Sequence, residues 1–251
     1  MELQPWEEAF TAYLRAHPSD DGSHDLGHVQ RVWRTALHIL QGEEADALVV
    51  LAGCFFHDIV TLPKNHPERH RSSALAAQRA RTILVEHFPR FPRDKIPGVE
   101  HAILAHSFSA GICPTTIEAC IVQDADRMEA LGAIGLARVF YVAGRLNQSL
   151  FDAVDPLALH RELDDKQFAL DHFQQKLLKL PATMQTRRGR ELAEFNAAYL
   201  KRFMAKLVDE IRGESHTHEQ DALERLTMKP DGARCNEQRN LLELPIQGAP
   251  R

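Results

Sequence analysis

A histidine and an aspartate stand side by side at the end of a strongly apolar run, in the stretch GCFFHDIVTLPKNHP at residues 53–67. A charge at low dielectric is costly unless something compensates it, so His57 and Asp58 need a partner. A divalent metal ion is one such partner, because neutral imidazole and carboxylate oxygen can share a cation. A hydrogen-bonded structural pair is the alternative that this stretch leaves open.

Two further stretches set polar side chains into apolar patterns of helical period. HDLGHVQRVWRTALHIL, residues 24–40, places His28 in the first turns of an amphipathic helix. IVQDADRMEALGAIGLAR, residues 121–138, carries Asp124 and Asp126. On a helix these two aspartates point roughly 200° apart, so we expect only one of them to face a shared site. The histidines and carboxylates together offer two nitrogen and two oxygen ligands, with room for water or a phosphate oxygen.

The order of these residues resembles the signature of the HD-domain superfamily of metal-dependent phosphohydrolases: a histidine, a His-Asp pair and a distant aspartate. The resemblance covers about residues 20–140, and the stretches KNHPERHRSS, HAILAHSFSA and VQDADRMEALGAIGLAR are similar to a largely uncharacterised bacterial subgroup. In the family the last ligand follows an alanine, which selects Asp126; periodicity alone leaves Asp124 open, and we interpret Asp124 as paired with Arg127 or another base. The implied metal ligands are His28, His57, Asp58 and Asp126.

The resemblance implies one divalent metal ion, with Mn²⁺ or Mg²⁺ preferred and Co²⁺, Ni²⁺ or Fe²⁺ as alternatives. It also implies hydrolysis of a phosphoester or phosphoanhydride bond in a small soluble phosphate compound, with a nucleotide as the preferred class. Asp58 is the candidate base, and His101 or His106 the candidate acid or phosphate ligand. These two histidines are separated by about 140° on a continuous helix, so both reach one site only if the helix ends between them. Arg31 and Lys64 are the candidate phosphate contacts, with solvated surface charge as their alternative role.

Two other classes of function remain open at this point. A non-catalytic nucleotide-binding regulatory protein would keep the metal ligands without turnover. A di-iron oxygenase of the HD type would need additional ligands, for which only His101 and His106 are at hand.

The elements that must position these residues are helical throughout. Amphipathic stripes cover residues 6–14 and 29–40, residues 44–59 are apolar on all sides, and further helical patterns follow at about 72–88, 98–107, 117–131, 133–146, 164–180 and 188–211. No alternating strand pattern is present. We therefore predict an all-α fold: one HD-domain helical bundle with additional C-terminal helices over residues 1–212, its metal-site core at about 20–140, and a flexible tail at 213–251. The helix at 188–211 could pack on the core or on a second subunit, so the oligomeric state stays open.

Composition restricts the size of the core, the partners and the cellular compartment that we expect for this chain. A chain of 251 residues with 44% hydrophobic content can bury a large core. A net charge of −5 without a long basic stripe argues against nucleic acid as a partner. No apolar run is long enough for a membrane span, and the segment MELQPWEEAF lacks signal-peptide features, so we expect no membrane association and a cytoplasmic location. Four cysteines without a CxxC pair fit a reducing compartment.

Overall fold

The computed structural model describes residues 2–17, 25–62, 66–107 and 110–213, and these ranges form α-helices and short 3-10 turns without a strand. The predicted all-α fold is confirmed. The helices are α1 (Gln4–Ala16), α2 (Leu26–Leu40), α3 (Ala47–Phe56), α4 (Ser72–Glu86), α5 (Ile96–His106), α6 (Ile117–Met128), α7 (Gly132–Arg145), α8 (Asp171–Gln175) and α9 (Arg187–Ile211). The predicted tail lies outside the described residues from position 214 onward.

Side-chain caps set the starting points of the helices that carry the site. Asp25 caps α2 by accepting a hydrogen bond from the backbone N–H of His28 at 2.8 Å. Asp46 caps α3, and Thr116 caps α6. A capping oxygen satisfies backbone N–H groups that have no partner within the helix, so it favours one starting residue over its neighbours. The caps therefore fix where α2, α3 and α6 begin.

Helix α3 lies in the centre of the first core, and every residue from Leu48 to Phe56 is buried. Helices α2, α5 and α6 pack around it. Gly53 allows the close approach of α6, because a Cβ atom there would lie 2.9 Å from Cγ2 of Val122. This arrangement brings the C-terminal end of α3, where His57 follows directly, against the helices that carry the other candidate ligands.

The C-terminal elements form a second core, in which α7, α8 and α9 enclose Phe173, Leu200 and Met204. The predicted long helix at 164–180 is wrong in extent: only Asp171–Gln175 is α-helical, followed by a 3-10 helix at Leu177–Thr183. The carboxylate of Asp171 is fully buried and accepts hydrogen bonds from Arg161 and from the backbone N–H of Asp164. These bonds hold the residues before Asp171 in turns, where a helix would carry the carboxylate away from its donors.

Helix α9 packs against α6, α7 and the 3-10 helix, so most of its apolar face is covered within this chain. Phe195 and Tyr199 on the same helix remain exposed. Among the described helices, none combines the length and the apolar character needed to cross a membrane.

Candidate metal centre

Four helix ends and turns meet at one cluster of titratable side chains. His28 comes from the first turn of α2, His57 is the C-cap of α3 and Asp58 follows it, Asp126 lies near the end of α6, and His106 is the last residue of α5. The structure thus brings together the predicted ligands from three helices, and a third histidine joins them from a fourth.

The ligand atoms face one another at short range. The Nε2 atoms of His28 and His57 are 3.1 Å apart, and each lies 3.6 Å from Oδ1 of Asp126. Oδ2 of Asp58 lies 3.3 Å from Nε2 of His57, and its Oδ1 lies 3.5 Å from Nε2 of His106. Two overlapping triads can be defined, one of His28, His57 and Asp58 and one of His57, His106 and Asp126. Within each triad the ligand atoms all lie within 4.8 Å of one another. Both triads share His57, so one centre with several donors describes the cluster.

Each imidazole is held through its Nδ1 atom. For His57 and His106, Nδ1 lies 2.8 and 2.5 Å from the backbone carbonyl oxygen three residues earlier. A carbonyl oxygen can only accept, so Nδ1 carries the hydrogen and, in the neutral ring, the Nε2 lone pair faces the cluster. Nδ1 of His28 similarly faces a carboxylate oxygen of Glu129 at 3.3 Å.

This orientation fits a metal ion. Two Nε2 lone pairs at 3.1 Å repel each other unless a proton or a cation lies between them. Metal-bound histidines commonly donate their second ring N–H to a carbonyl or a carboxylate, as all three rings do here. The imidazoles are buried, whereas the side chains of Asp58 and Asp126 are 17% and 26% exposed. Solvent therefore reaches the cluster from the carboxylate side.

The electrostatics of the cluster favour ionised carboxylates. Burial alone would raise the pKa of Asp58 and Asp126, but the neighbouring histidines outweigh it and hold both pKa values well below their usual range. Burial alone would lower the pKa of His57, yet the two carboxylates raise it. A site with two carboxylates and inward-facing imidazoles attracts cations, and protons compete with metal ions for it.

The two aspartates of α6 have different environments. Asp124 is fully buried and accepts hydrogen bonds from the backbone N–H groups of Gln185 and Thr186 and from the Thr186 hydroxyl, at 2.8 to 3.1 Å. Burial raises the pKa of Asp124, although these donors and the charge of Arg127 oppose the rise. The geometry therefore places Asp126 among the candidate ligands and turns Asp124 toward the start of α9, with backbone donors as its direct partners.

Glu129 belongs to the cluster, although the sequence reasoning did not identify it. Its carboxylate accepts hydrogen bonds from Nε and Nη2 of Arg31 at 2.8 to 3.1 Å and lies against Nδ1 of His28. The signal in the sequence was its distance of three residues from Asp126, close to one helical turn. Arg31 therefore lies beside the cluster, paired with a carboxylate.

One predicted catalytic residue, His101, lies away from the cluster. Nε2 of His101 accepts a hydrogen bond from the backbone N–H of Thr115 at 3.0 Å. Thr115 lies in the loop between α5 and α6, directly before the residue that caps α6. The helix does not end between His101 and His106, so the two rings point in different directions. Lys64 lies outside the described residues.

Comparison with known proteins agrees with this architecture. The sequence profile of the HD domain matches residues 25–131. The protein YpgQ of Bacillus subtilis is 32% identical over 216 residues, which cover 84% of this chain and 96% of YpgQ. The crystal structure of YpgQ in complex with ADP aligns with a TM-score of 0.64 at 28% identity, over 86% of this chain and 100% of that chain. An HD-superfamily hydrolase from Bacillus thuringiensis shares the fold, with a TM-score of 0.67 at 24% identity, over 85% of this chain and 100% of that chain. The chain belongs to the HD domain family.

Proposed function

We propose that this protein is a divalent-metal-dependent phosphohydrolase that cleaves a phosphoester or phosphoanhydride bond of a small soluble phosphate compound, with a nucleotide as the substrate class. The observation that carries the proposal is the convergence of three inward-facing Nε2 atoms and two partly exposed carboxylates at one point. The presence of ADP in a structure of the relative YpgQ supports a nucleotide as the ligand of this chain.

The ligands we assign to one metal ion are His28, His57, Asp58 and Asp126. Mixed nitrogen and carboxylate ligation suits Mn²⁺ or Mg²⁺, with Co²⁺, Ni²⁺ or Fe²⁺ as alternatives. When bound, such an ion lowers the pKa of a water molecule and polarises a phosphoryl oxygen.

The protein groups around this position have distinct roles. Asp58 directs one oxygen toward His57 and the other toward His106, so one oxygen can bind the metal while the other accepts a proton from the attacking water. His106, beside that second oxygen, is the candidate donor to the leaving group in its imidazolium form, which carries a hydrogen on Nε2 as well as on Nδ1. Arg31 is a candidate phosphate contact, because its side chain is 38% exposed and its pairing uses only the Nε and Nη2 edge of the guanidinium. Lys64 keeps the same role as a prediction from sequence.

The test is an assay of metal-stripped protein supplied with Mn²⁺ or Mg²⁺ and a panel of nucleoside mono-, di- and triphosphates and simple phosphoesters. Released phosphate and pyrophosphate identify the bond that is cut. We expect His57→Ala and His106→Ala to lose turnover by at least about 100-fold. His101→Ala is the matched control on the same helix, and we expect it to retain activity because its ring contacts Thr115 outside the cluster.

The alternatives give different results in the same assay. Metal-dependent nucleotide binding without product would identify a regulatory binding protein. Bound iron with oxygen consumption would identify an oxygenase. Full activity in His57→Ala would contradict the assigned centre.

A further inference from the structure

Glu129 is a buried carboxylate that touches two functional candidates at once. It follows the last residue of α6, and its side chain is only 7% exposed. One of its oxygens, Oε2, lies 3.3 Å from Nδ1 of His28 and 2.8 Å from Nη2 of Arg31. A carboxylate so deeply enclosed is costly unless its donors are well placed, and these two contacts supply them.

The contact with His28 controls the tautomer of this ring and the direction in which its Nε2 atom points. A carboxylate can only accept, so it favours the tautomer with the hydrogen on Nδ1 and leaves Nε2 to face the cluster. His57 and His106 achieve the same orientation with carbonyls of their own helices. For His28, in the first turn of α2, the acceptor comes from α6, a separate element that also carries Asp126.

The contact with Arg31 fixes the carboxylate in turn. Nε donates to both oxygens and Nη2 donates to Oε2, which is a two-point contact between planar groups. Gly27 leaves the space for this guanidinium, because a Cβ atom there would lie 3.3 Å from Nη1 of Arg31. Arg31 and His28 are one turn apart on α2, so one carboxylate from α6 can hold both.

We propose that Glu129 is a positioning residue for the metal centre: Arg31 fixes the Glu129 carboxylate, and that carboxylate fixes the tautomer and ring plane of His28. The inference rests on the metal site of the proposed function. If Arg31 has this positioning role, its removal should weaken metal binding even when no phosphate is present. A residue that only contacts phosphate would have no such effect.

The experiment is a titration of metal-stripped, full-length protein with Mn²⁺ alone, followed by calorimetry, with no nucleotide present. We expect Glu129→Ala to weaken Mn²⁺ binding by about 10–100-fold, the usual effect of removing an outer partner of a metal-bound histidine. Glu129→Gln should recover most of that loss, because an amide oxygen at the Oε2 position still accepts from Nδ1. Arg31→Met should weaken binding severalfold.

Two control variants separate positioning from general damage. Glu100→Ala removes an ion pair of the same length, with Arg81 at 2.8 Å but on a more exposed surface, and should bind Mn²⁺ like the wild type. Arg138→Met removes a cation whose Nη1 lies 3.9 Å from Glu129, too far for a hydrogen bond, and should also have little effect. A ¹⁵N spectrum of the imidazoles reports the tautomer directly, and we expect the His28 signals to change in Glu129→Ala.

The outcomes are decisive in both directions. Weak binding in Glu129→Ala with recovery in Glu129→Gln supports the proposal. Wild-type Mn²⁺ affinity in Glu129→Ala overturns it, and so does equal loss in both variants with an unchanged His28 tautomer, which would indicate a purely structural ion pair. The titration uses no substrate, so a wild-type protein that binds Mn²⁺ but releases no product would refute the phosphohydrolase and leave the positioning role standing.

Discussion

Exchanging each aspartate of α6 for asparagine should separate stability from metal binding. We expect Asp124→Asn to destabilise the fold and to keep the metal, and Asp126→Asn to lose the metal and to keep the fold. The reason is the different set of partners: Asp124 accepts hydrogen bonds from Gln185 and Thr186 at the start of α9, whereas Asp126 faces the histidines.

The size of the Asp124→Asn effect follows from the hydrogen bonds. Asparagine keeps one oxygen, which can still serve the two donors of Thr186 that now reach Oδ2. Its NH₂ group then faces the backbone N–H of Gln185, so the NH₂ finds no acceptor there and the Gln185 N–H keeps only its longer contact, with Oδ2 at 3.1 Å. An unsatisfied buried donor together with the loss of charge-assisted bonds costs about 2–4 kcal/mol. For a domain of this size that corresponds to a fall in Tm of roughly 4–16 °C.

The assay combines thermal unfolding in the presence of a chelator with an Mn²⁺ titration of both variants. Asp126→Asn should leave the metal-free protein folded and should weaken Mn²⁺ binding at least about 100-fold. Asp124→Asn should bind Mn²⁺ within about threefold of the wild type. The reasoning would be refuted if Asp124→Asn lost the metal and Asp126→Asn kept it.

Three further predictions rest on single features. Gly189→Ala should destabilise the fold by about 1–3 kcal/mol in thermal unfolding, because the added Cβ would lie 2.6 Å from the buried hydroxyl of Thr186. Gly144→Ala should stabilise the fold slightly, because its Cβ would meet nothing within 4 Å. Mn²⁺ affinity should fall by up to about tenfold per pH unit as the pH is lowered below the raised pKa of His57, because protons then compete with the metal above the ordinary histidine range; a flat calorimetric pH profile would contradict this. Arg161→Met should cost about 3 kcal/mol, since it leaves the buried Asp171 without its main partner, and denaturant unfolding measures this.

The helical fold could be predicted because periodicity is strongest where a helix is long and has one apolar face. Residues 29–40 and 188–211 are of this kind, and the structure has α2 and α9 there. The segment at 164–180 has the same period, yet the buried carboxylate of Asp171, which accepts hydrogen bonds from Arg161 ten residues earlier and from the backbone N–H of Asp164, holds part of it in turns. Such a tertiary contact leaves no periodic trace in the sequence, which is why the extent of that helix was predicted wrongly.

The grouping of the candidate ligands was partly accessible from the sequence. A His-Asp pair at the end of an apolar helix is a local signal, because the free-energy cost of burying these polar groups can be inferred from the sequence before the fold is known. The selection of Asp126 over Asp124 came from the family resemblance, since both faces of α6 are apolar enough to be buried. The separation of His101 from His106 depends on α5 running without a break to its last residue, which spacing alone left undecided.

Helix α6 explains why its acidic residues could not be assigned from spacing alone. In the stretch DADRME three carboxylates occur within six residues. On a helix Asp124 and Asp126 point about 200° apart, whereas Glu129 comes nearly one full turn after Asp126 and returns to roughly the same side. Asp124 meets the start of α9, Asp126 meets the histidines, and Glu129, beyond the helix end, reaches back to His28 and Arg31. Which carboxylate meets which partner is set by the helices packed on either side of α6. The sequence of α6 supplies the charges, and the packing of α2, α3 and α9 decides which of them lies among the candidate metal ligands, which accepts hydrogen bonds from the start of α9 and which lies against His28 and Arg31.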